Sequence, residues 1–593
     1  MPQGWKRHLV RSEGYCSSDL EDENAVPKPS KPPLELEALY ARHAATFARH
    51  AKNVRVSSLT EPTEPIDGRD ANDIRAVEWD NNRIRELADG KSEKRKRYHQ
   101  DLLTPAAFVN FKRVQKNIET VARLCSTTET RNSRGHTYPS PDVPQRWRPH
   151  LKTTKSPAIW RMLIINHVKA FKVATTRELE ALVEVIYRKK LFRNGPRRFM
   201  YEGVYDILLA YPLAHEASWL KLREILVKTA KLRSAHETEE LEKIQIKISV
   251  LVEHESMFPL VPRGQVSSQA ELDFDVGVFA DLNFGFDRTG STDAETFIVK
   301  CAEYFGESFR GVSMYEGNHS HEVIGDELAL EVRRERCEKD YELLVKTLKN
   351  AVATYKSTRN VDEQFAFRDK NALPKECTRF PDFRVFEVLT SGTPTFMHAL
   401  ESAQLGSGLE SLGFFHRVSP GTVVLHDARS ARQISGDFKL QHAFFLLSTI
   451  ISKPSQGIIT CDLGSKSLAC ENGDPAAFVV NHPTWVPLHP SEEHLPIFIP
   501  NLKEWENIKR GDRIWLIPEH VCPTVNLHEV FAATYEDPFT FPNEENDYDN
   551  FGTIQNYLEA ERSGIRDAYE ATYVRLHRVS AHAHDATAQR DDP

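Results

Sequence analysis

Three short stretches of this 593-residue sequence bring residue types together at spacings that chemistry can use. The first is RPHLKTTKSP, residues 148–157. It follows a proline-rich loop and precedes a helix-like run, where the C-terminal end of a barrel strand would lie. A lysine there, Lys152, stands in the barrel mouth, and desolvation favours the neutral amine that Schiff-base chemistry with an aldehyde needs. The second is TSGT, residues 390–393, one glycine among three hydroxyls in a single turn. Backbone N–H groups and the Thr393 hydroxyl of such a turn can cradle a phosphate dianion. The third is PEHVC. If it lies on a strand, His520 and Cys522 project from the same face, and imidazole and thiolate converge on one point. A borderline-soft cation such as Zn2+ suits that N,S pair, and two protein ligands leave positions open for water and substrate. Each stretch also has an ordinary reading when taken alone: a surface lysine, a glycine turn, a chance His-x-Cys.

The elements that must position these residues follow from hydrophobic periodicity. Strand-like runs at 104–111, 170–174, 206–210, 246–254 and 276–281 alternate with helix-like runs such as 112–125, 158–167 and 176–187. Short β-branched strands alternating with helices indicate parallel βα units, and this many over some 290 residues favours a (β/α)8 barrel. From about residue 413 the text changes to strands split by Gly/Pro turns, including VSPGTVVLHDA, HAFFLLSTIISKP and GDRIWLIPEHVCPTVNL, which reads as an all-β domain. The aromatic run at 442–447 is core. The expected organisation is a polar N-terminal extension (1–97), a barrel (98–400), a β domain carrying the metal pair (401–541) and a polar tail (542–593) with one amphipathic helix near 554–578.

Composition bounds the function. Lys and Arg number 77 against 85 Asp and Glu, a net charge of −8 with a pI near 6.3, so nothing global attracts nucleic acid or an anionic membrane. The basic run 91–97 reads as a solvated helix face. Eight cysteines without a CxxC pair suit a reducing compartment. No apolar signal segment opens the chain, and the most apolar stretch, 443–452, has about half the length of a bilayer span. A soluble, cytoplasmic protein is expected.

Taken in order, these stretches resemble the D-serine dehydratase-like and D-threonine aldolase family of fold-type III, alanine racemase-like pyridoxal phosphate enzymes. The resemblance runs from about 104 to 527, about 420 of the 593 residues. TPAAFVNF is similar to the family's opening strand, RPHLKTTKSP to its lysine motif, FADLNFGFDRTGS to its DVGxGRTG segment, FRGVSMYEGNHSH to YDGHxxH, VLTSGTPTF to its phosphate loop and VSPGTVVLHDA to RPGxYxxxDA. Such motifs in register are specific where one alone would be weak. The resemblance implies that Lys152 holds the cofactor, that Thr390, Gly392 and Thr393 contact its phosphate, and that Arg288 and Tyr315 flank its ring or the mouth. An exposed, salt-bridged arginine is the alternative for Arg288. His150 could order Lys152 or the phosphate, or make a structural hydrogen bond. The family's dehydratases carry zinc on a pair like His520 and Cys522, and Cys in place of a carboxylate favours them over the aldolases. The implied activity is PLP- and zinc-dependent dehydration of D-serine or a related D-β-hydroxy amino acid to a 2-oxo acid and ammonia. The alternatives are retro-aldol cleavage of the D-threonine aldolase type and a PLP-binding relative without turnover. A homodimer is implied, the β domain of one subunit facing the barrel mouth of the other.

The chain departs from the family at two histidines. KTHK appears as KTTK, with Thr154 in the histidine position, and YDGHxxH appears as YEGNHSH, with Asn318 at the first histidine, His321 at the second and His319 additional. Insertions at 127–145, 188–205 and 351–380 enlarge the barrel. Glu493 and His494 read as loop residues that could approach the metal edge. Asp462 could bond backbone in the β domain as readily as approach the site.

Overall fold

The structure, a computed structural model, describes residues 103–126, 129–131, 137–139, 146–187, 203–234, 244–262, 276–286, 288–321, 327–359, 386–434, 438–534 and 574–578. The N-terminal extension, the basic run 91–97, Cys16 and most of the 542–593 tail lie outside them, as do large parts of the three insertions.

The chain enters through β1 (Ala106–Asn110) and α1 (Phe111–Leu124). Val114, Ile118 and Val121 repeat at helical spacing on the buried face of α1, and Asn110 caps it by accepting the Arg113 amide at 3.1 Å. Buried Asn117 is satisfied by the Val424 and Gln441 carbonyls and the Gln441 amide. A small hairpin, β2 (Glu129–Arg131) and β3 (Thr137–Pro139), follows.

The barrel comes next. Seven strands run parallel in sequence order: β4 (Ala170–Val173), β5 (Gly203–Leu209), β6 (Ile244–Val252), β7 (Val276–Leu282), β8 (Phe309–Met314), β9 (Glu387–Thr390) and β10 (Phe415–Val418). Trp147 bridges Val418 and His150 bridges Lys172, both parallel, so the segment 147–150 closes the ring between β10 and β4 as an eighth strand. The helices α2 (Pro157–Ile165), α3 (Thr176–Tyr187), α4 (Glu216–Ser234), α5 (Ala294–Phe305), α6 (Glu327–Arg359) and α7 (Phe396–Glu401) lie between successive strands. Buried on both faces, β4 and β7 have no exposed position. Leu208, Leu251, Phe279 and Leu389 pack together inside, apart from the main core between strands and helices.

After α8 (Ala428–Gln433) come β11 (Phe444–Ser452), β12 (Ile458–Cys461), β13 (Ala477–Val479), β14 (Val486–Pro487), β15 (Leu495–Phe498), α9 (Leu502–Asn507), β16 (Arg513–Pro518), α10 (Val521–Asn526) and β17 (Val530–Thr534). A nine-stranded sheet runs β14–β15–β12–β11–β1–β17–β18, with β18 at Val574–Arg578; β16 branches from β11 and β13 pairs with β16. The expected barrel followed by a β domain is borne out. No helix among the described residues is long and apolar enough to cross a membrane.

Four expectations are corrected. First, β1 falls within the 98–400 segment assigned to the barrel, yet it pairs with β11 and β17 in the β domain. Its alternating burial, with Ala107 and Val109 inward, suits a sheet with one core face. Second, β10 lies past residue 401 but completes the barrel. Third, VSPGTVVLHDA is not a β-domain strand: Pro420 and Gly421 end β10, Thr422–Val424 make a 3-10 turn, and Asp427 caps α8. Fourth, 574–578, expected to be helical, is a strand antiparallel to β17. The open edge of β17 supplies backbone partners that periodicity within the tail does not register.

Candidate functional site

Beyond His150 the first barrel strand turns sharply. The amides of Thr154 and Lys155 both donate to the Leu151 carbonyl at 3.1 Å, and Lys155 takes φ +44°. Thr153, Thr154, Lys155 and Ser156 are buried, whereas Lys152 is exposed. Thr154, in the family histidine position, receives the Trp160 indole N–H at 2.9 Å and belongs to the packing under the turn. Lys155 pairs with buried Glu178 at 2.7 Å. His150 donates through Nδ1 to the Lys172 carbonyl at 3.3 Å. Burial, then the charges of Lys152 and Lys172, hold its pKa well below the ordinary value, so the ring is neutral. A second barrel lysine, Lys172, is brought down to about 8 by burial, assisted by Lys152, Arg288 and Arg148 and opposed by Asp281.

The 390–393 turn is held from below. Ser391 adopts φ +60°, uncommon for a residue with a side chain, and buried Glu316 secures it by accepting the Ser391 amide at 3.1 Å and its hydroxyl. Tyr341 donates to the same carboxylate at 2.7 Å. Thr390 turns its hydroxyl to buried His416 Nε2 at 2.9 Å, whereas the Oγ1 of Thr393 accepts the Thr422 amide at 3.2 Å. Two glycines let backbone approach closely. A Cβ on Gly392 would stand 2.9 Å from the Tyr315 ring, and one on Gly421 would stand 2.3 Å from the His150 carbonyl oxygen. Arg288 lies 4.4 Å over the Tyr315 ring and 5.0 Å over Phe286, an exposed stacked cation without a salt-bridge partner among the described residues.

His520 and Cys522 do converge, but not on a strand. His520 is the N-cap of α10 and Cys522 lies in its first turn. Burial alone would neutralise both groups. Instead, their mutual hydrogen bond, with Glu471 on His520 Nδ1, raises the imidazole to about 10 and lowers the thiol below its ordinary range. The Cys522 sulfur lies 3.0 Å from Thr153 Oγ1 and 3.3 Å from Thr422 Oγ1. The pair therefore meets the barrel mouth of its own chain, beside the Lys152 turn. Among the described residues no group of three or more His, Cys, Asp or Glu is arranged to hold a metal ion.

Other residues separate cleanly. Glu493 and His494 are exposed, Glu493 pairing with Lys466. Asp462 accepts from Ser448 Oγ and the Thr449 amide inside the β sheet. His319 pairs with Asp340 at 2.7 Å, and the Oδ1 of Asn318 is buried without a hydrogen-bond partner. The side chain of His321 lies outside the described residues.

The residues missed from sequence are those that brace the others: Thr153, Thr422, Glu316, Glu471 and above all Asp427. One Asp427 oxygen caps α8 through the Ser430 amide at 2.7 Å, and the other accepts the Val521 amide at 2.8 Å, between the two candidate ligands. Its place in LHDA before a helix was the available signal. Asp427→Ala is expected to cost about 1–3 kcal/mol, combining a lost cap with an unpaired buried amide, measured as a lower urea midpoint.

Residues 443–534 match the family described as "Putative serine dehydratase domain". A D-threonine aldolase of Arthrobacter sp is 28% identical over 118 residues, 20% of this chain and 30% of that relative, so the match spans under a third of the relative's length. The crystal structure of D-threonine aldolase from Filomicrobium marinum superposes with a TM-score of 0.50 at 19% identity, covering 73% of this chain and 92% of that one. D-threo-3-hydroxyaspartate dehydratase from Delftia sp. HT23 gives 0.47 at 16% identity, over 73% and 95% of the two chains. The resemblance read from the motifs is thus borne out. The Filomicrobium structure shares the fold.

Proposed function

We propose that the chain is a pyridoxal phosphate-dependent lyase that dehydrates D-serine or a related D-β-hydroxy amino acid to a 2-oxo acid and ammonia, with Zn2+ at His520 and Cys522. The observation that carries this reading is the 3.0 Å contact between Thr153 and the Cys522 sulfur, because it joins the lysine turn to the N,S pair at one mouth. The match of 443–534, which contains that pair, to a serine dehydratase domain supports it.

The residues present fit both groups. Lys152 offers an amine in the mouth, and the Gly392 and Gly421 backbones approach closely where side chains would intrude. Glu471 occupies His520 Nδ1, which leaves Nε2 as the ring nitrogen free to join the Cys522 sulfur on a cation that keeps its other positions open. When bound, the cofactor supplies an electron sink at Cα and zinc a Lewis acid at the β-oxygen.

The chain's own residues do the rest. Lys152 is the group placed to hold the cofactor and to move the proton at Cα. Neutral His150, bonded to the Lys172 carbonyl, sits immediately before the lysine turn without adding charge to it. Arg288, stacked on the Tyr315 ring that packs against Gly392, orients an anionic substrate. Thr393, braced by the Thr422 amide, and the 390–393 backbone receive the phosphate.

A second reading, retro-aldol cleavage of D-threonine to glycine and an aldehyde, is favoured by the Arthrobacter match. Purified protein with pyridoxal phosphate and Zn2+ is expected to release pyruvate and ammonia from D-serine and none from L-serine. Glycine from D-threonine without pyruvate from D-serine would establish the second reading. Uptake of the cofactor without turnover of any D-β-hydroxy amino acid would leave a binding protein. A homodimer is the proposed assembly, at twice 67.7 kDa in light scattering.

A further inference from the structure

The Cys522 sulfur is contacted by more than its histidine. Thr153 Oγ1 stands 3.0 Å away and Thr422 Oγ1 3.3 Å away, and the two threonines belong to different parts of the barrel. Thr153 follows Lys152 in the first-strand turn and is buried at 1% exposure. Thr422 opens the turn after β10, and its amide donates to Thr393 of the phosphate loop at 3.2 Å. A thiol is a weak acceptor that gains little from hydroxyl neighbours, whereas an anionic sulfur gains a charge-assisted hydrogen bond from each. Two hydroxyls within 3.3 Å of one sulfur therefore surround it with groups able to donate, an arrangement that suits a cysteine ligating a soft cation.

We infer that Thr153 and Thr422 are positioning residues that hold the Cys522 sulfur as a cation ligand and make cation affinity depend on whether the cofactor end of the mouth is filled. The inference rests on the reading of the site given above. A cofactor on Lys152 and the 390–393 loop fixes the two turns that carry these hydroxyls, so a cation arriving second meets donors that are already ordered. Linkage requires the converse: the cation tightens the cofactor by the same factor.

The test is a Zn2+ titration of the full chain against a chromophoric chelator, with and without pyridoxal phosphate. The cofactor is expected to tighten Zn2+ by about 5–150-fold in the parent. Thr153→Val and Thr422→Val are each expected to weaken Zn2+ by about 10–100-fold, with Thr153→Ser restoring parent affinity. In the double valine variant the effect of the cofactor should vanish. The thiolate charge-transfer band of the Co2+-substituted chain should shift in the valine variants and return with serine, which a loss of packing alone would not produce. A double valine variant with the parent's circular dichroism spectrum and the parent's zinc affinity in both conditions overturns the inference alone. Undiminished zinc affinity in Cys522→Ala, or no uptake of pyridoxal phosphate by the parent, overturns the reading of the site and the inference with it.

Discussion

Replacing Lys152 by alanine is expected to abolish turnover and to let pyridoxal phosphate pass freely through gel filtration, while thermal stability stays at the parent's level. These outcomes come from the same geometry. Lys152 is the exposed member of a turn whose next four residues are buried, so truncating it removes no packing and leaves no orphaned partner in the core. Surface truncations of that kind fall within about 0.5 kcal/mol. The proton-transfer role alone is worth about 10²–10⁴-fold in rate, and covalent retention of the cofactor is lost in addition. Borohydride reduction of the loaded parent followed by peptide mapping should place the cofactor on Lys152. Trapping on Lys172 instead would reverse the assignment, since Lys172 is a barrel lysine whose pKa, lowered to about 8, leaves part of it neutral. Lys172→Met separates the two, because it should keep the reducible adduct on Lys152.

Legibility in the sequence tracked the range of the interactions involved. The strand and helix runs from 104 to 282 were readable within a few residues, since each is fixed by its own periodicity. The domain to which β1 belongs was not, because its partners are β11 and β17, more than 330 residues away. Lys152 and the His520–Cys522 pair are visible through motif resemblance, yet strand alternation is not what brings the pair together. The pair converges at a helix N-cap, where Asp427 holds the intervening amide, and not by strand alternation. Thr390 illustrates the same limit: a hydroxyl in a phosphate-loop motif is turned inward by His416, whose own Nδ1 is taken by Arg146. Thr153, Thr422 and Glu316 carry no sequence signal of what they brace, and Asp427 signals only its local helix cap, because the atoms they hold lie between 75 and 369 residues away.

The same invisibility applies to the charges inside the barrel, where the largest stability effect is expected. Arg148 is fully buried. Its guanidinium bonds Asp206 at 2.8 Å and Glu387 at 2.7 Å, and it also donates to the carbonyls of Phe171 and Asp206. Arg417 binds the same Glu387 carboxylate, so two arginines and two carboxylates balance in the interior. Burial alone would discharge Arg148, but Asp206 and Glu387 more than compensate and hold its pKa above the ordinary value, while Arg148 holds the Asp206 carboxyl below its own. Glu387→Ala leaves both buried arginines facing a single carboxylate. Breaking such a buried pair from one side costs about 3–5 kcal/mol, whereas the solvent-accessible pairs of Lys228 with Glu180 and Glu184 on the barrel helices are worth about 0–1 kcal/mol each, so Lys228→Ala serves as the control. The measurement is the urea midpoint of both variants against the parent. Because Arg148 stands four residues before Lys152 on the strand that closes the barrel, cofactor retention in Glu387→Ala should also fall under conditions where the chain is still folded. An apolar replacement of all four charges at matched volume should recover stability. Recovered stability without recovered cofactor retention would show that the charges orient the strand carrying Lys152 and do more than fill the barrel.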